Sequence, residues 1–152
     1  MSYSIPDYNE KKGMAESRSP SVNKRVYTWE EIGLMMHHLG DRLELTGHIS
    51  DYIVGVTRGG LVPAVALSNR FKKPLVVIDP FEFKVEDLPS GHLLIVDDVF
   101  DTGKVLKEIE GKIIKERIYT LAALVSKPWA PKGSNIVTVC ETTDWICFPW
   151  EV

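Results

Sequence analysis

The chain is poor in cysteine and has no long apolar run, and each of these absences narrows the class of protein. Its two cysteines among 152 residues, Cys140 and Cys147, have no metal-binding or redox spacing, so we expect free thiols in a cytoplasmic protein. The sequence shows no signal peptide and no apolar stretch of membrane-spanning length, so no membrane partner is expected. The formal net charge of −3 provides no general basic surface, which argues against a nucleic-acid partner.

Two common nucleotide-binding fingerprints are also missing. The sequence contains neither G-x-G-x-x-G nor G-x-x-x-x-G-K-[ST], which disfavours a dinucleotide-binding fold and a P-loop. A length of 152 residues with 44% hydrophobic residues is typical of one globular domain. Residues 1–24 are rich in polar residues and proline, so we expect a flexible N-terminal segment ahead of a single domain over residues 25–152.

Apolar periodicity predicts strands that alternate with helices through the middle of the chain. Thr28-Trp29-Glu30-Glu31 is a capping box, and it predicts a helix from Trp29 to about Leu45. Further strands are predicted at residues 52–56, 75–78, 93–96, 119–125 and 136–140, with helices at 61–71 and 104–117. This alternation predicts an α/β fold, a parallel sheet flanked by helices on both faces.

One stretch, LLIVDDVFDTGKV at residues 93–105, places polar residues directly after an apolar strand. Asp97 and Asp98 follow the strand, and Asp101-Thr102-Gly103 precede the next predicted helix. Ligands bind open parallel sheets at the carboxyl ends of the strands, and a helix N-terminus favours phosphate. Two carboxylates beside a phosphate site suit ribose hydroxyls or a hard cation such as Mg²⁺. On spacing alone, an ordinary turn without a ligand is an equal alternative.

A second polar turn, Thr57-Arg58-Gly59-Gly60, follows the predicted strand at residues 52–56. Two glycines allow the backbone to approach an anion closely, and the arginine adds charge and a fork geometry that suits phosphate. Taken alone, this motif fits an ordinary turn with a surface arginine equally well.

Together these motifs resemble those of the type I phosphoribosyltransferases. LLIVDDVFDTGKV resembles the motif that binds phosphoribosyl pyrophosphate (PRPP), and YIVGVTRGGLVP resembles the pyrophosphate loop of the purine branch, xanthine-guanine phosphoribosyltransferases especially. The resemblance extends to Ser126-Lys127-Pro128 and to the tail, Asp144-Trp145-Ile146 with Pro149-Trp150-Glu151. It covers nearly all of the chain after residue 24 and implies a type I phosphoribosyltransferase-like fold with a reduced hood.

The resemblance implies an activity and a set of small-molecule partners. The implied enzyme is a phosphoribosyltransferase of purine salvage, which transfers ribose 5-phosphate from PRPP to xanthine, guanine or hypoxanthine and releases pyrophosphate. The implied cofactor is Mg²⁺, and the implied partners are PRPP, the purine base and pyrophosphate. Related enzymes are dimers or tetramers, so a homo-oligomer is expected.

The resemblance also carries the family's residue roles onto this sequence. Asp101 is the expected general base or proton relay to the purine ring. PRPP is expected to contact Asp97, Asp98, Asp101, Thr102, Gly103, Lys104 and Val105. Pyrophosphate is expected at Thr57, Arg58, Gly59 and Gly60, and the purine at Lys127, Trp145 and Ile146. The expected Mg²⁺ ligands are Asp97, Asp98 and Glu151.

The sequence departs from the family pattern at three places, and two of these departures support an alternative function. The connection at residues 79–91 is short where the family has a long mobile loop, Val105 replaces a hydroxyl residue, and Cys147 replaces a polar one. A regulatory protein that binds PRPP or a nucleotide, with little or no turnover, fits the first two departures. The intact acidic pair, Asp101, Lys127 and Trp145 favour the enzyme, and an enzyme acting on uracil or adenine is a third possibility.

Overall fold

The computed structural model describes residues 23–113 and 117–151, so residues 1–22 of the predicted flexible segment lie outside the described residues. The strands are β1 Lys24–Val26, β2 Tyr52–Val56, β3 Leu75–Ile78, β4 Leu93–Phe100, β5 Tyr119–Ser126, β6 Ile136–Glu141 and β7 Trp145–Cys147. The α-helices of the described residues are α1 Trp29–Leu45, α2 Leu61–Phe71 and α3 Lys104–Lys112, with 3₁₀ turns at Val85–Asp87 and Pro149–Glu151.

The chain divides into two compact units, a larger one over residues 35–142 and a smaller one formed by the described residues of 1–34 and 143–152. The larger unit contains a five-stranded parallel sheet in the order β3-β2-β4-β5-β6. This arrangement confirms the predicted α/β fold with a parallel sheet. The single domain expected over residues 25–152 stays a prediction.

The central strands of the sheet are buried on both faces, which explains their nearly continuous apolar sequences. On one face Val54 and Ile95 belong to an apolar cluster that includes Leu106 and Ile109 of α3. On the other face Gly55 lies under α2, where an added Cβ would come within 3.0 Å of the side chains of Leu61 and Ala64. Helices therefore cover both faces, as the sequence predicts.

In the smaller unit, the predicted capping box is formed and an unpredicted pair of strands is present. Thr28 Oγ1 accepts a hydrogen bond from Glu31 N at 3.1 Å, and Thr28 N donates to Glu31 Oε1 at 3.0 Å, so the capping box is formed. The hydrogen bond from the Thr28 backbone lowers the pKa of Glu31. β7 pairs in parallel with β1, with Ile146 opposite Arg25. The tail was not predicted to form a strand.

Two elements of the larger unit differ in length from the sequence prediction. β4 continues past residue 96 because Asp97, Val99 and Phe100 remain paired with β5. The acidic pair therefore lies within the strand instead of in the turn. α3 ends at Lys112, before the predicted end at residue 117, because Ile113 is extended (φ −82°, ψ 135°). No helix in the described part of the chain is long and apolar enough to cross a membrane.

Candidate functional site

The two sequence motifs meet in one cavity of about 410 Å³ at the carboxyl ends of β2 and β4. Three of the four expected pyrophosphate-loop residues line it: Thr57, Arg58 and Gly59. All of the expected PRPP-motif residues line it as well: Asp97, Asp98, Asp101, Thr102, Gly103, Lys104 and Val105. The parallel order of β2 and β4 explains this meeting, because it places both strand ends at the same edge of the sheet.

The pyrophosphate loop is packed tightly against β4. A Cβ added at Gly59 would lie 1.8 Å from Asp98 Oδ2, and one added at Gly60 would lie 2.4 Å from the Val96 carbonyl oxygen. The peptide bond between Thr57 and Arg58 is cis. Glycine is thus required at residue 60, where only a hydrogen fits against backbone carbonyls, whereas a side chain at residue 59 would displace the Asp98 carboxylate.

The acidic pair is held by its own backbone. Asp98 N donates to Asp97 Oδ1 at 2.8 Å, and Val99 N donates to Asp98 Oδ1 at 2.8 Å. Burial, reinforced by the negative charge of Asp98, raises the pKa of Asp97 well above its ordinary range, and burial also raises the pKa of Asp98. The raised pKa values mean that the charged form of these half-buried carboxylates is disfavoured. A bound cation, or hydrogen bonds from hydroxyl groups, would stabilise that charged form.

The turn after β4 exposes backbone N–H groups to the cavity. Gly103 has a φ of +84°, a conformation that favours glycine, and it precedes α3. The helix start has no side-chain cap among the described residues, although Lys104 N lies 3.4 Å from Thr102 Oγ1. The N–H groups of the first turn of α3 are therefore available to an anion, with the Thr102 hydroxyl beside them.

Asp101 has a partner that the sequence did not predict. Trp129, in the loop after β5, donates a hydrogen bond from its indole Nε1 to Asp101 Oδ1 at 2.7 Å. The indole is 59% exposed. The only sequence signal for this residue is a large aromatic placed directly after the Lys127-Pro128 pair.

Lys127 lies at the carboxyl end of β5 but not in the cavity of the acidic pair. It is 7% exposed, and its backbone N donates to the Phe100 carbonyl at 2.9 Å. It lines a second cavity, of about 480 Å³, together with Arg42, Lys132 and Glu141. Its Nζ is 6.0 Å from the centroid of the Trp129 ring, so Trp129 contacts both Lys127 and Asp101.

The short connection after β3 supplies two further wall residues, Pro80 and Phe81, that the sequence did not single out. Phe81 is 49% exposed, and Lys104 Nζ lies 5.7 Å from its ring. The turn is held against the core of the larger unit, because Phe83 is buried in that core and Lys112 Nζ donates a hydrogen bond to the Pro80 carbonyl at 3.3 Å. An anchored aromatic turn stands where the family has a long loop.

The remaining expected site residues belong to the smaller unit. Trp145 and Ile146 lie in β7, where Trp145 N donates to the Asn23 carbonyl at 2.6 Å. Glu151 lies in the turn Pro149–Glu151, and its Oε1 accepts from Phe148 N at 3.4 Å. Their roles in purine and metal binding stay predictions.

Comparison with known proteins identifies relatives of nearly full length. No protein-family model matches the chain. A purine phosphoribosyltransferase from Pyrococcus horikoshii is 34% identical, with a TM-score of 0.67 over 85% of this chain and 94% of that one. The xanthine-guanine phosphoribosyltransferase of Cereibacter sphaeroides is 26% identical over 156 residues, covering 90% of this chain and 92% of the relative. The Helicobacter pylori xanthine-guanine-hypoxanthine phosphoribosyltransferase is 22% identical over 86% of this chain and 95% of that one, and its TM-score of 0.68 supports the fold.

Proposed function

The chain belongs to the purine phosphoribosyltransferases, and from that premise we propose that it transfers ribose 5-phosphate from PRPP to a 6-oxopurine base and releases pyrophosphate. The observation that carries this proposal is the single cavity of about 410 Å³ lined by both the pyrophosphate loop and the PRPP motif. A substrate with phosphates at both ends and a ribose between them matches a cavity with anion sites on two sides of an acidic pair.

The sugar and its 5-phosphate are assigned to the β4 side of the cavity. Asp97 and Asp98 accept hydrogen bonds from the ribose hydroxyls. The 5-phosphate binds the N–H groups of Gly103, Lys104 and Val105 together with the Thr102 hydroxyl, where the helix dipole also favours an anion. Val105 itself supplies no hydroxyl, so one phosphate contact that the family usually has is missing.

The pyrophosphate group is assigned to the β2 side. Arg58 supplies charge, and the backbone of Thr57, Gly59 and Gly60 approaches the leaving group closely. Because the reacting carbon lies between the two phosphate sites, transfer depends mainly on orientation and on stabilisation of the departing negative charge.

Mg²⁺ fits the donor set of this cavity. Asp97 and Asp98 supply hard oxygen ligands, and their raised pKa values indicate a site that lacks positive charge. Within the described part of the chain, no group of three or more His, Cys, Asp or Glu side chains could hold a metal ion by itself. When bound, Mg²⁺ would offset the charge of the pyrophosphate and hydroxyl oxygens. Glu151 is kept as a third ligand from the sequence resemblance.

The base site is assigned to residues around the Asp101 side of the cavity. In the transfer, the bond from the ribose carbon to pyrophosphate breaks and a bond to the purine nitrogen forms. Asp101 accepts the proton that this nitrogen loses. Lys127 lines the second cavity and is kept, from the sequence resemblance, as the hydrogen-bond donor to the exocyclic oxygen of the base. Stacking by Trp145, reading of the 2-substituent by the Ile146 backbone and the homo-oligomer rest on the sequence resemblance. The cytoplasmic location rests on the number and spacing of the cysteines.

The direct test is pyrophosphate release from Mg²⁺-PRPP with guanine, xanthine, hypoxanthine, adenine and uracil supplied separately. We expect turnover with one or more 6-oxopurines and none with adenine or uracil. The variant with both Asp97→Asn and Asp98→Asn should lose Mg²⁺-dependent PRPP binding, measured by calorimetry. Absence of turnover with every base, in protein that still binds PRPP, would support the regulatory alternative instead.

A further inference from the structure

We infer that Trp129 is a positioning residue for the proton transfer to Asp101. The inference rests on the proposed function, because it requires Asp101 to accept the purine proton. The structural observation is the hydrogen bond of 2.7 Å from the indole Nε1 to Asp101 Oδ1. This contact holds one carboxylate oxygen in place and leaves the other, Oδ2, for the base.

Asp101 needs such a partner because it is exposed and lies in a turn. An exposed aspartate rotates about two side-chain bonds, whereas proton transfer requires one orientation within hydrogen-bond reach of the base. A hydrogen bond to an ionised carboxylate is stronger than one between neutral groups, and it fixes the carboxylate orientation. Because burial does not fix the orientation of the Asp101 carboxylate, the hydrogen bond from the Trp129 indole fixes it instead.

The loop that carries Trp129 is itself fixed to the PRPP motif. Ala130 is buried, and its N–H donates to the Lys127 carbonyl at 3.0 Å. Pro131 lies against Gly103, where its Cγ is 2.8 Å from the position that a glycine Cβ would occupy. The Ala130 hydrogen bond shapes the loop itself, and the close approach of Pro131 to Gly103 places the loop beside the turn after β4, where the indole hydrogen bond is made.

Trp129 interacts with both Asp101 and Lys127, the two side chains of the larger unit that are assigned to the purine base. Its N–H edge contacts Asp101, and Lys127 Nζ lies 6.0 Å from the ring centroid. A ring with a negative face and a positive N–H edge accommodates a cation on one side and an anion on the other. One side chain thus sets the spacing between the group that takes the ring proton and the group that contacts the exocyclic oxygen.

The variant Trp129→Phe tests this role because it keeps an aromatic ring and removes the N–H donor, together with part of the indole surface. Trp129 is 59% exposed, so the substitution is not expected to unfold the protein. We expect the single-turnover rate with a 6-oxopurine to fall about tenfold, the effect of losing one hydrogen bond to a charged group. The affinity for Mg²⁺-PRPP, measured by calorimetry, should stay within about twofold, because the phosphate contacts are elsewhere.

A double-mutant cycle distinguishes positioning from a general structural effect. Asp101→Asn should lower the single-turnover rate strongly, and adding Trp129→Phe to that variant should cause no further loss. The matched control is Trp29→Phe. Trp29 is also 59% exposed, and its ring lies tilted against that of Trp150 in the smaller unit with 5.9 Å between the ring centroids, so its substitution should leave the rate unchanged.

The outcomes separate this inference from the proposed function. Equal losses from Trp129→Phe with and without Asp101 would overturn the positioning role and leave the proposed transferase intact. An unchanged rate in Asp101→Asn would instead show that Asp101 is not the proton acceptor, and the inference would fall with that assignment. Turnover that is absent in the unmodified protein would overturn the proposed function itself.

Discussion

The two sides of the active-site cavity are built in different ways. On the packed side, glycines of the pyrophosphate loop lie against β4, and a half-buried acidic pair has raised pKa values. On the open side, Phe81, Asp101 and Trp129 are exposed. Trp129 donates a hydrogen bond to Asp101, and Lys104 Nζ lies near the Phe81 ring. The packed side holds two neighbouring carboxylates together at a cost in electrostatic free energy. The open side depends on a few contacts that can be removed without disturbing the core.

The largest effect is expected on the packed side, from Gly60→Ala. A Cβ at this residue would lie 2.4 Å from the Val96 carbonyl and 2.6 Å from the Val56 carbonyl, and neither backbone can move freely. Overpacking of this kind costs about 1–3 kcal/mol, so the free energy of unfolding in urea should fall by at least that amount. PRPP binding should be lost with it.

Gly33→Ala provides the matched control for Gly60→Ala. An added Cβ at Gly33 meets nothing within 4 Å, and the residue lies inside α1. Alanine in a helix interior is favoured over glycine by about 0.8–1.0 kcal/mol, so stability should rise slightly and activity should not change. A similar loss of stability in both variants would contradict the packing explanation.

A moderate increase in stability is expected from Asp97→Asn, in contrast to the loss of stability expected from Gly60→Ala. The pKa of Asp97 is raised in the folded protein above its ordinary value of 3.8, so the native state prefers the protonated form. The stability that protonated Asp97 contributes is fully present below pH 3.8, and it is lost as the pH rises through the higher pKa that Asp97 has in the folded protein. Asparagine avoids this loss, so the variant without ligands should melt a few degrees higher at pH 7 than the unmodified protein.

The pH dependence provides the check on the Asp97→Asn prediction. Melting curves of the two proteins recorded between pH 3 and pH 8 should converge at the acid end and separate as the pH rises. Mg²⁺-PRPP should raise the melting temperature of the unmodified protein and have little effect on the variant. A variant that is less stable than the unmodified protein at pH 7 would show that the carboxylate is satisfied by partners other than its neighbour.

The smallest effect is expected on the open side, from Phe81→Ala. Phe81 is 49% exposed on an anchored turn, so its removal should change the free energy of unfolding by less than about 0.5 kcal/mol. If this ring excludes water from the reacting centre, base-independent hydrolysis of PRPP should increase a fewfold relative to transfer.

The matched control for Phe81→Ala is Val77→Ala, at an apolar residue that is 52% exposed on β3 and does not line the cavity. Hydrolysis and transfer should both stay unchanged in this variant. Equal ratios of hydrolysis to transfer in the Phe81 variant and the unmodified protein would show that Phe81 does not act as a cover.

The boundaries of the regular elements were largely predictable. The helix at Trp29–Leu45 and the strands at Tyr52–Val56 and Leu75–Ile78 have the predicted bounds, because a capping box, glycines and apolar periodicity are local signals. β4 was predicted too short because Asp97 and Asp98 interrupt its apolar run, and pairing with β5 outweighs their low strand propensity. β7 was missed because its partner, β1, lies at the other end of the sequence.

The site shows the same division between local and long-range information. The sequence by itself determined the acidic pair and the two motifs that are expected to bind phosphate, because each motif is a short run of residue types whose chemistry does not depend on distant neighbours. Only the tertiary structure decided that Gly59 packs on Asp98 and that Trp129 holds Asp101, contacts between residues 39 and 28 positions apart. The tertiary structure also places Lys127, which follows the neighbouring strand β5, in a second cavity instead of the cavity of the acidic pair. Such contacts depend on strand order and loop packing, which no local pattern of residues contains.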